Sequence, residues 1–87
     1  MRQLAQDIYS AVAAGRLKEP FRPSDVRRAC PGWATKTPGV FLPKHRIGNP
    51  GKETELFERL PDGSYKTIPA GWKEWSRITR CPIPPGH

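Results

Sequence analysis

An 87-residue chain with 36% hydrophobic residues and 11 prolines has room for one domain with one modest core, which argues against a large cleft enzyme. Fifteen Lys and Arg against eight Asp and Glu leave a net charge of +7, ordinary for a small soluble domain, so where the charges sit matters more than their sum. Residues 1–50 hold nine basic and three acidic side chains and residues 51–87 six and five, which centres the positive field on the first half and directs it at polyanions, phosphate backbones first.

The opening segment, MRQLAQDIYSAVAAG, interrupts its apolar residues with Asp7 and other polar side chains. It predicts neither a signal peptide nor a membrane span, and the expected location is cytoplasmic, nucleoid-associated if DNA is the partner. Leu4, Ile8 and Val12 recur every four residues, with Ala5 and Tyr9 beside them, and predict a first helix of about three turns that stops at Gly15. RLKEPFRP reads as extended, because Pro20 and Pro23 push their predecessors out of the helical region, and Phe21 is its core anchor. Ser24 is the expected N-cap of a short second helix through DVRRAC, with Val26 and Ala29 facing inward and Pro31-Gly32 ending it. A third helix follows, with Thr37 as N-cap, Pro38 at its first position and Val40, Phe41 and Leu42 as its apolar content; Pro43 shortens or tilts it. Gly48 to Gly51 form a loop. TELFERL and SYKTI around Pro61-Asp62-Gly63 predict a β-hairpin, and Trp72, Trp75 and Ile78, three apart, predict a C-terminal helix or turn packing back on the domain. The domain spans residues 1–80, with 81–87 a loosely ordered tail.

Three helices, a short turn between the second and third, then a hairpin: this is the element order of winged helix-turn-helix domains, and the sequence resembles that family within the α+β class. The stretch FRPSDVRRACPGWATKTPGVFLPKHRIGNPGKETELFERLPDGSYKTI is similar to small winged-helix modules of uncharacterised role in bacterial and phage proteins, distantly like helix-turn-helix modules associated with restriction systems. The resemblance implies a third helix in the major groove with flanking basic and hydroxyl side chains on phosphates. By position it marks Thr35, Lys36 and Thr37 at the helix entrance and Lys44, His45, Arg46 and Asn49 at its exit and in the loop. Lys52 and Lys66 on the wing, and Arg27 and Arg28 on the second helix, complete the candidates for double-stranded DNA. Arg46 and Asn49 alone have obvious base-reading chemistry. Any single lysine among these has a plain alternative as a solvated surface charge. Two features depart from the family: Pro43, and Asp62 at a wing tip where Arg or Lys would reach into a minor groove. Glu53, Glu55 and Glu58 would repel phosphate if they faced it, so they are expected on the opposite side or against another protein.

Cys30, His45, Cys81 and His87 lack the close ligand pairs of a structural zinc site, so no metal or cofactor is expected; Cys30 reads as a small core residue and both thiols as reduced. No catalytic set can be assembled, and no enzyme is expected. Phe41, Phe57, Tyr65 and Trp33 are assigned to the core. Trp72 and Trp75 either cover the first helix or form an exposed patch, and the second option supports an alternative function: a protein-interaction adaptor using the acidic wing and these two tryptophans.

Overall fold

Each helix buries one stripe, and those stripes meet on a small aromatic core. The structure, a computed structural model, describes residues 1–34 and 36–87, with α1 (Gln3–Ala13), α2 (Pro23–Ala29), α3 (Thr37–Lys44), β1 (Phe57–Arg59), β2 (Tyr65–Thr67) and α4 (Pro69–Thr79). Among the described residues this is a small α+β architecture of four helices and a two-stranded antiparallel hairpin. None of its helices is long and apolar enough to cross a membrane.

In α1 the predicted stripe is present, with Leu4, Ala5, Ile8 and Tyr9 buried, Ala11 added and Val12 half-buried at its end. Gly15, at φ +79°, takes the left-handed position that ends the helix. The chain then runs extended, with Leu17 and Phe21 buried, and Phe21 exchanges two backbone hydrogen bonds with Tyr65 at 2.8 and 2.7 Å. The second helix begins two residues earlier than expected. Arg22, not Ser24, is its N-cap, because the Asp25 carboxylate accepts the Arg22 N–H at 2.9 Å and Pro23 presets the first turn. In α3 the cap is Lys36, with Thr37 and Pro38 inside the helix and Pro43 next to its last residue, where it leaves the Gly39 carbonyl without its i+4 donor.

The hairpin has the register Phe57↔Thr67, Glu58↔Lys66 and Arg59↔Tyr65. Its tip is closed by Asp62, whose carboxylate accepts the Ser64 N–H at 3.0 Å and the Ser64 hydroxyl at 2.6 Å, while Gly63 sits at φ +88°. Beyond each edge one more residue pairs: Phe21 on β2, and Arg46, just past α3, in parallel with Phe57.

Phe57 lies at the centre, its ring within 5.8 to 6.2 Å of Tyr9, Phe41 and Phe21. Trp72 and Trp75 are 1% and 4% exposed, so the exposed-patch option fails and the covering option stands. Their indole N–H groups donate to Thr67 Oγ1 at 2.7 Å and to Ser10 Oγ at 3.0 Å, which is what allows such large, partly polar rings to be buried. One core assignment is overturned, and one apolar residue of α3 faces outward. Trp33 is 37% exposed, tied by its N–H to Asp7 at 3.1 Å, and Val40 is 67% exposed. Three consecutive residues sweep about 200° around a helix, so burying Phe41 and Leu42 turns Val40 outward.

The α1–α4 contact depends on a glycine. A Cβ added at Gly71 would stand 1.8 Å from the Tyr9 hydroxyl, which donates to the Leu56 carbonyl and accepts the Ile68 N–H at 3.3 Å. Burial pushes the Tyr9 phenol well above its usual pKa, so it stays protonated and able to donate. Gly71→Ala should therefore destabilise the domain by roughly 1–3 kcal/mol, read as a lower urea midpoint.

Glu19 fastens the extended segment to the sheet by accepting the Thr67 N–H and hydroxyl, and it also meets His87, whose ring lies 4.8 Å from Trp72. Burial pushes its carboxyl up, but the bonds from Thr67 and His87 outweigh it and hold the pKa below the ordinary Glu value. A depressed folded pKa gives stability that is present above the ordinary Glu range and lost as pH falls through the folded value. Glu19→Gln should thus lose roughly 1–3 kcal/mol at neutral pH, with wild type and variant converging in urea titrations as pH falls below the ordinary Glu range.

Candidate nucleic-acid interface

Because Pro38, Phe41 and Leu42 turn inward, the opposite face of α3 carries Lys36, Val40 and Lys44, each four residues apart, with Gly39 beside Val40. Among the described residues, no carboxylate lies within ion-pair reach of Lys36, Lys44, Arg46 or Lys52. Lys36 and Lys44 stand ~12 Å apart along the helix axis. Thr37 is half-buried in the first turn between them. Thr35 falls outside the described residues.

The loop after α3 is folded on itself, and that removes two candidates. His45 is 2% exposed: its Nδ1 donates to the Thr54 carbonyl at 2.9 Å and its ring packs 4.5 Å from Phe41. A carbonyl only accepts, so the proton sits on Nδ1, and the buried Nε2 has no partner among the described residues. His45 is a core residue, not a phosphate contact. Asn49 is buried as well. Its Nδ2 donates to the Arg46 and Glu53 carbonyls at 2.9 and 3.0 Å and its Oδ1 accepts the Glu53 N–H at 2.7 Å, so the amide closes the loop and has no face left for a base. Arg46 turns its guanidinium onto the carbonyls of Ile47 and Gly48, at 3.1 and 3.4 Å. Lys52 is exposed at φ +53°. Glu55, expected to repel phosphate, instead accepts the Gly48 N–H at 2.7 Å.

The remaining candidates are dispersed. Arg27 and Arg28 are exposed on α2, which packs on α3, and Arg28 pairs with Asp25. Hydrogen bonds from the Arg22 amide and from Arg28, the former the larger cause, hold the Asp25 carboxyl below its usual range. Lys66 lies on β2 and pairs with Glu58 at 3.6 Å. Asp62 at the hairpin tip faces Arg22, with 3.9 Å between charged atoms.

Sequence reasoning missed Arg59, an exposed cation at the end of β1 that lines one surface hollow with Arg46 and Ile47; Glu58, expected on the opposite side, lines the same hollow. Only the pairing of the post-α3 chain with β1 brings Arg59 there, and no local motif announces that pairing.

Glu53, Glu55 and Glu74 line a different cavity, of about 550 Å³, between the loop and α4. Among the described residues no three His, Cys, Asp or Glu side chains converge to hold a metal. Both cysteines are free thiols; Cys30 is buried, and burial, then Asp7, pushes its thiol pKa up. No protein-family model matches the chain, and no curated protein or solved structure matches it either.

Proposed function

We propose that this chain is a winged helix-turn-helix module that binds double-stranded DNA through α3 and the loop behind it. One observation carries the reading: Lys36 and Lys44 flank an otherwise uncharged outward face, without acidic partners among the described residues, on a helix of a size the major groove admits. The element order supports it, since Phe21 supplies the single rung that precedes α2 and the β1–β2 hairpin follows α3 where a wing belongs.

The same geometry leaves little hydrogen-bonded readout of bases. Asn49 is consumed inside its loop and Arg46 is folded back on two carbonyls, so phosphate contacts dominate over base readout. The wing serves as support. Its tip is held by Asp62 bonding Ser64 and facing Arg22, and the turn from Leu60 to Ser64 carries no basic side chain for a minor groove. The protein-adaptor alternative has lost its tryptophans to the core.

Fluorescence anisotropy with a short labelled duplex tests the reading. Binding at low salt that weakens steeply as salt rises is the expected outcome. Absence of binding at low salt overturns it.

A further inference from the structure

Gly39 and Val40 occupy the middle of the outward face of α3, and the fold itself requires neither. Among the described residues a Cβ at Gly39 would meet nothing within 4 Å, and its φ is not in the left-handed range, so neither their packing nor the backbone conformation calls for glycine. Val40 is the most exposed large hydrophobic side chain among the described residues, at 67%. Glycine and a β-branched residue are both poor choices for an exposed helix interior, where they weaken the helix relative to alanine. Local rules broken without structural compensation mark a surface shaped for something outside the chain.

The flanking charges identify that partner's chemistry. Lys36 and Lys44 bracket the Gly39-Val40 surface one turn to either side, so what meets it presents negative charge at two edges and an apolar group between them. The major groove of DNA has that arrangement: phosphates line both walls, and the apolar group on its floor is the thymine C5 methyl. We propose that Val40 packs on thymine methyl groups, with Gly39 allowing the helix backbone to approach, so that the module favours thymine-rich duplex without hydrogen-bonding any base. This rests on the DNA-binding reading above.

The test compares one duplex with the same duplex in which every thymine is replaced by uracil, which removes the methyl groups and leaves the charge unchanged. Wild type should bind the uracil duplex about fourfold more weakly for each methyl contacted, the value of one buried methyl at ~0.8 kcal/mol. Val40→Ala should bind both duplexes alike. Gly39→Ala should melt no lower than wild type, since its Cβ has open space, and yet bind thymine duplex roughly tenfold more weakly because the approach is blocked. Equal affinity of wild type for thymine and uracil duplexes, with steep salt dependence retained, overturns the inference and leaves DNA binding standing. Undiminished DNA affinity in both variants assigns the face to a protein partner and overturns it too. No binding to either duplex at low salt overturns the reading on which it rests.

Discussion

Lys36→Ala combined with Lys44→Ala should weaken duplex binding about 100-fold at low salt and reduce the dependence of log affinity on log salt by about two units. Each ammonium that neutralises a phosphate releases about one condensed counterion, and each charge-assisted contact is worth about 1.5 kcal/mol, close to a factor of ten. Both side chains are exposed and lack acidic partners among the described residues, so their removal should move the folding midpoint by no more than about 0.5 kcal/mol. Lys66→Ala is the matched control. It deletes a lysine already paired with Glu58 on the hairpin, and should change affinity less than about twofold. Anisotropy titrations of the three proteins at several salt concentrations measure all of this.

Trp72→Ala should unfold much of the population on warming, with a loss of about 3–5 kcal/mol and a melting midpoint lowered on the order of 20 °C. The indole packs against Tyr9 at 4.8 Å and Trp75 at 5.1 Å, edge to face, and its N–H satisfies Thr67 Oγ1, itself bonded to Glu19. Removing it opens a cavity at the junction of α1, α4 and the hairpin and leaves a buried hydroxyl lone pair without its donor. Small domains have little stability in reserve, on the order of 5–10 kcal/mol, so this is a large fraction of the total. Circular dichroism melts read the loss directly. A Trp72→Ala protein that melted like wild type would contradict the core described above and restore the ring as a docking surface.

Features coded by local pattern were legible in the sequence. The Leu4, Ile8, Val12 spacing announces α1, and Pro61-Asp62-Gly63 between apolar runs announces the hairpin, because periodicity and turn chemistry act over a few neighbouring residues. The cap of α2 was displaced because Asp25 recruits the Arg22 amide, an interaction that competes with Ser24 and cannot be ranked from residue types alone. Trp72 and Trp75 have a spacing compatible with either a buried or an exposed stripe. Only the donors' partners, Thr67 five residues upstream and Ser10 on α1, decide it.

The site was half legible. Lys36 and Lys44 sit where chain order suggested, because helix α3 alone places them. His45 and Asn49 were misassigned because their burial depends on the chain between Gly48 and Leu56 folding back so that the carbonyls of Thr54 and Glu53 meet their side chains. A run of histidine, arginine and asparagine between lysines looks like a binding loop on residue types; here two of its members are the pins that shape it. Val40 was hidden by its apolar neighbours, since Phe41 and Leu42 suggested a buried run that a helix cannot bury as a whole.

The most direct measurement is the salt dependence of duplex binding by the unmodified protein. Lys36, Lys44 and Lys52 as the phosphate contacts predict a straight line of log affinity against log salt with a slope of about −3. A slope near zero, or no binding at low salt, would contradict it.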